Sequence, residues 1–109
     1  MGSNAAANSA PQHLKALERA NQVRVARAEL KRKVASGDIS VPHVLLARPW
    51  HAATMSISDL LMSQRSWGRT RSRRLLVSAG IPETKPIGTL TERQRTATAA
   101  LLELPRDGD

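Results

Sequence analysis

Residues 12–36, QHLKALERANQVRVARAELKRKVAS, contain no Gly or Pro and return to an apolar side chain every three or four positions, at Ala16, Ala20, Val23, Ala26, Leu30 and Val34. At about 100° per residue these share one side of an α-helix, and Gly37 follows where a C′ glycine belongs. The pattern predicts a long helix over 12–36 with that stripe turned to the core. Shorter apolar clusters follow, each with its own start and stop signals. Ser40 can cap a helix opened by Val41 and Pro42 and closed at Arg48 and Pro49. Ser56 or Ser58 can cap one carrying Leu60, Leu61 and Met62. Thr70 can cap a fourth helix, running to Ala79 and stopped by Gly80, on which Ser72, Leu75, Leu76 and Ala79 face inward. Thr91 and Gln94 form a capping box for a fifth, which Pro105 closes. Residues 81–90 hold two prolines and a glycine and read as an irregular connection. No stretch alternates at period two and no internal repeat is visible. The expectation is an all-α fold of about five helices, in one domain spanning 12–104. Residues 1–11 have little to bury and read as a disordered lead; residues 105–109 read as an acidic tail.

Composition narrows the core. The 109 residues include two tryptophans but no Phe or Tyr, so Leu, Val, Ile, Ala and Met must fill the interior, which suits packed helices. No cysteine is present, which removes disulfides, thiolate metal sites and a cysteine nucleophile and fits a reducing, cytoplasmic setting. No apolar run approaches the ~20 residues needed to span a bilayer, the start lacks the features of a secretory signal, and no membrane partner is expected.

Charge changes the picture more. Seventeen Lys and Arg against nine Asp and Glu leave a net +8, the footprint of a polyanion partner. Residues 11–36 and 65–95 carry the whole excess. Within QRSWGRTRSRRL, residues 64–75, Arg65, Arg69, Arg71, Arg73 and Arg74 crowd around Trp67 and Gly68, and no acidic residue lies between Asp59 and Glu83. A solvated helix face normally mixes both signs. A glycine turn that opens a basic helix instead offers a left-handed backbone at Gly68, free amides near Thr70 and guanidinium forks, together a phosphate cradle. Ser66, Trp67, Gly68, Arg69, Thr70, Arg71, Arg73 and Arg74 are therefore the candidate DNA contacts. Arg93 and Arg95 join them, because cations at the start of the fifth helix oppose its dipole and suggest a second helix end aimed at phosphate. Arg24, Arg27 and Lys31 form a basic stripe beside the apolar face of the long helix and are a candidate second DNA surface. Trp67 sits on the turn and could meet a base, whereas Trp50 reads as core filler. His13, His43 and His51 have no metal-binding spacing, and no carboxylate pair suggests acid–base catalysis. No catalytic residue, metal or cofactor is expected.

The order of these motifs, DLL followed by SWGRTRSRRLLVSAGI and then GTLTERQRTATAALL, resembles the actinobacterial integration host factor family of nucleoid-associated proteins. The resemblance covers roughly 14–104. Its most specific parts are Gly68 with Arg69 and Arg71, the helix end at Gly80, and Arg93, Gln94 and Arg95 at the start of the last helix. It implies a helix-two-turns-helix module over 40–104 behind the long basic helix, phosphate-based binding of duplex DNA with little sequence preference, and DNA bending or compaction. It further implies assistance to site-specific recombination, with an integrase or recombinase as partner, and a place in the nucleoid; the chain is expected to be a monomer in solution. The family's turn reads Pro, Gly, apolar, Gly where this chain has Arg65, Ser66, Trp67 and Gly68, and ARPWHAATM replaces an acidic stretch; these departures point to a divergent member of the kind a phage or plasmid carries. The same helix module occurs in DNA glycosylases, but their N-terminal proline nucleophile and cysteine zinc finger are missing. A ribosomal RNA-binding protein shares a related turn but carries a basic tail, whereas this C-terminus is acidic. A non-catalytic subunit of a recombination complex is the remaining alternative.

Overall fold

Five α-helices, α1 (Gly2–Ser36), α2 (Val41–Ala47), α3 (Ile57–Met62), α4 (Arg69–Ala79) and α5 (Glu92–Glu103), make up a computed structural model that describes residues 2–104, with side chains from Gln12 onward. Two 3₁₀ turns, Trp50–Ala52 and Ile87–Thr89, lie in the connections, and among the described residues there is no strand. The architecture is a long N-terminal helix followed by a small helical bundle. No helix among the described residues is long and apolar enough to cross a membrane.

Local chemistry sets most boundaries. Gly37 (φ +86°) and Gly80 (φ +71°) stop α1 and α4 in the left-handed region that glycine enters without a Cβ penalty. The Ser40 side chain accepts a hydrogen bond from the His43 amide, and Ser56, rather than Ser58, accepts one from the Asp59 amide. Thr91 and Gln94 form the expected reciprocal box at the start of α5. Arg48 (φ +53°) ends α2 in a left-handed conformation just before Pro49.

α5 packs on α2 and α4, and α3 packs on α4, while α1 meets the bundle through the 3₁₀ turn at Trp50–Ala52. The core joins Leu30 and Val34 of α1 to Val41, Val44 and Leu45 of α2, Ile57, Leu60 and Leu61 of α3, and Leu76 of α4. The 81–90 connection is pinned to the segment before α3 by backbone hydrogen bonds from Ile57 N to Lys85 O (2.9 Å), Ile87 N to Met55 O (2.8 Å) and Gly88 N to Ala53 O (2.8 Å). A Cβ on Gly88 would lie 3.0 Å from the Ala53 carbonyl oxygen and Cβ, so a larger residue at this crossing would have to push the Ala53 segment aside.

The long helix departs from expectation at both ends of the argument. Its backbone begins at Gly2 rather than near Gln12, through a segment expected to be a disordered lead; alanine, frequent there, has the strongest intrinsic helix preference. Ala16 and Ala20, expected in the core, are exposed, because the bundle covers only the C-terminal part of α1: Val23 and Ala26 are half-buried, Leu30 and Val34 buried. The expected acidic tail at 105–109, and Pro105 with it, lie outside the described residues.

Candidate nucleic-acid interface

The turn between α3 and α4 is built by short-range hydrogen bonds. Ser63 closes α3 by donating its amide to Asp59 O, Gln64 donates its amide and its side-chain Nε2 to Leu61 O, and Trp67 donates its amide to Gln64 O at 3.1 Å. The chain then swings outward at Ser66, whose φ is +69°. Gly68, expected to take that left-handed conformation, is extended (φ −100°, ψ −175°), because the reversal is completed two residues earlier. A non-glycine residue at positive φ is uncommon, so the turn carries a conformational cost at Ser66.

Gly68 is the N-cap of α4, in place of the expected Thr70, which lies inside the first turn. With no side chain it supplies no acceptor, whereas Ser40, Ser56 and Thr91 each satisfy a first-turn amide. A Cβ at Gly68 would meet nothing within 4 Å. The first turn of α4 holds Arg69, Thr70 and Arg71 and no acid, so two cations oppose the helix dipole. This arrangement leaves the amide end of α4 suited to an anion.

The arginines divide around the buried Ser72 and Leu76. Arg69 and Arg74 are exposed. Arg71 is half-buried, its guanidinium 4.1 Å from the centre of the Trp67 ring, which itself leans on the core. Arg73 turns to the other flank and donates from Nε to Glu83 (3.2 Å), an exposed pair. Trp67, Arg71, Arg74, Leu75, Ser78 and Leu101 line a groove between α4 and α5. A second depression, lined by Ser78, Thr91, Arg93, Ala97, Ala100 and Leu101, continues it to the exposed Arg93. Ser78, Ala97 and Ala100 were not singled out in the sequence; their signal is small size at helical spacing on otherwise exposed faces.

Arg95 is a correction. It is 4% exposed and cannot belong to a surface cradle. Its Nη1 donates to Leu45 O (3.0 Å) and its Nη2 to Ile87 O (2.7 Å), tying α5 to α2 and to the 81–90 connection. Burial, then the neighbouring Arg48 charge, lowers its pKa from the ordinary guanidinium value. The start of α5 is likewise no open anion site, because the Thr91–Gln94 box occupies it; Arg93 adds charge, not a cradle. Trp50, read as core filler, is 64% exposed, its ring edge-on to His51.

On α1, Arg24 and Lys31 are exposed, while Arg27 is half-buried and donates from Nε to His51 O at 3.1 Å, anchoring α1 to the bundle. The basic stripe is thus part surface and part strut. Among the described residues no group of three His, Cys, Asp or Glu could hold a metal ion.

The fold is similar to that of sIHF in a structure bound to an 8-base-pair palindromic DNA, with a TM-score of 0.70 and 24% sequence identity over 77% of this chain and 97% of that chain. No protein-family model and no curated protein sequence matches this chain.

Proposed function

We propose that this chain is a non-catalytic, nucleoid-associated DNA-binding protein of the integration host factor type. It grips duplex DNA through backbone phosphates, bends or compacts it with little sequence preference, and assists site-specific recombination beside an integrase or recombinase. The observation that carries the reading is the N-terminus of α4: an uncapped, exposed helix end at Gly68, with Arg69, Arg71 and Arg74 around it and no acid in its first turn. Amides and guanidinium groups that converge there match phosphate oxygens in charge and geometry. The likeness to sIHF, whose structure holds DNA, supports the same partner here. Few Asn or Gln side chains stand among the candidate contacts to read base edges, which supports positioning by phosphate rather than by sequence. Arg24 and Lys31 on α1 would supply a second contact surface, Arg27 serving mainly as a strut.

The test compares affinity for duplex DNA, duplex RNA and single strands of matched length at two salt concentrations. Tightest binding to duplex DNA, equal among scrambled sequences, is expected. Preference for duplex RNA would move the reading to a structural-RNA protein, and binding to none of them would leave a protein-interaction subunit.

A further inference from the structure

Beyond the bundle, α1 carries a second apolar face that the fold leaves uncovered. Leu14, Leu17 and Val25 are 55%, 53% and 60% exposed, and with the exposed Asn21 and Ala28 they form a stripe about opposite the buried Leu30 and Val34. Its spacing of three, four, four and three residues keeps it on one side of a nearly straight helix. The flanks differ in sign. Beside the stripe run Glu18 and Glu29 on one edge, Glu29 already ion-paired within its own helix to Arg32 and Lys33, and His13, Arg24 and Lys31 on the other. Arg24 directly precedes Val25 and Glu29 directly follows Ala28, which makes them g-like and e-like positions five residues apart; His13 and Glu18 repeat the relation around Leu14 and Leu17. Two parallel helices in register bring the basic edge of each against the acidic edge of the other, Arg24 to Glu29 and His13 to Glu18, on both sides of the seam. An antiparallel pair would instead set acid against acid and base against base. Asn21 meets its own copy mid-seam, the polar position that fixes register in two-stranded coils.

We propose that the chain forms a parallel, in-register homodimer through residues 14–28 of α1, in place of the monomer expected from the sequence. The seam is self-complementary, as a two-fold interface must be. Because the bundle packs on the opposite side of α1, over Leu30 and Val34, the seam does not use residues the bundle covers. The proposal goes beyond the DNA reading and is tested without DNA.

Sedimentation equilibrium of the full chain, from micromolar to sub-millimolar concentration, should show the mass rise from monomer to dimer. Leu17→Lys, at an exposed site away from the core, should hold it at monomer while the dilute protein melts as the parent does. Arg24→Glu or Glu29→Arg should each weaken self-association by roughly 10-fold, and the two together should restore it, since the pair is charge-matched. As the chain has no cysteine, Leu14→Cys should cross-link to its own copy under mild oxidation, while Val77→Cys, exposed on α4, should not. A parent that stays monomeric throughout overturns the proposal. A dimer in which Leu14→Cys fails to cross-link, or in which the double charge swap remains weak, overturns the parallel in-register arrangement.

Discussion

Ser66 and Arg95 show how far a residue's role depends on backbone angle and burial. Ser66 sits at φ +69° without the freedom of glycine. Ser66→Gly should therefore stabilise the protein by about 0.5–1 kcal/mol, offset in part by the greater entropy of the unfolded chain; chemical denaturation measures this, and a loss of stability would show that the Ser66 side chain matters to the turn. Arg95 contrasts with the exposed arginines. Arg95→Ala leaves the Leu45 and Ile87 carbonyls without their donors and opens space between α2 and α5, so a loss of about 2–4 kcal/mol is expected in urea unfolding. The variant that still folds at low temperature should bind DNA with the parent's salt dependence. Sequence alone places Arg95 among the contacts because a cation at the start of the fifth helix opposes the helix dipole and so suggests an outside anion. Its burial follows from the packing of α5 on α2, a contact fifty residues away that no local pattern reveals.

At the scale of elements, helix ends were legible and helix faces less so. Ser40, Thr91 with Gln94, Gly37 and Gly80 act within one turn of their own positions, and each stands in the role its type suggests. Exposure of Ala16 and Ala20 depends on how much of α1 the bundle covers, and Trp50 is outward because the 3₁₀ turn carries it there; both are tertiary outcomes. The α4 start was half legible: the basic helix after a glycine turn was read correctly in type, while the left-handed residue proved to be Ser66 and the cap Gly68. This geometry sets two effects against each other. Gly68→Asp supplies the missing cap acceptor and should stabilise α4 by a few tenths of a kcal/mol, yet it places a carboxylate where a phosphate would sit and should lower duplex affinity. Gly68→Ser should give the cap without the charge and, by occupying one first-turn amide, lower duplex affinity by less than the aspartate does. Equal DNA affinity for the aspartate variant and the parent would remove α4 from the interface.

Taken as a whole, the molecule is 70 Å long and 27 × 23 Å across, with a bundle at one end of a projecting basic helix. The excess charge lies on two separated segments, so one molecule has two places at which to meet a polyanion. Replacing Arg24 and Lys31 with Gln should leave affinity for a short duplex largely intact and reduce compaction of long DNA, followed by light scattering or single-molecule extension, beyond any change in Leu17→Lys, which loses the α1 seam but keeps both cations. Unchanged compaction would mean that the stripe is solvated surface. The central claim is that phosphate contacts around the start of α4 hold DNA, and the salt dependence of duplex affinity tests it most directly when the parent is compared with Arg71→Ala. The parent's log affinity should fall with log salt by about 0.9 for each phosphate neutralised, and Arg71→Ala, folded by circular dichroism, should bind all sequences more weakly with a slope smaller by about one. A flat salt dependence in the parent, or an Arg71→Ala slope and affinity equal to the parent's, would contradict the account.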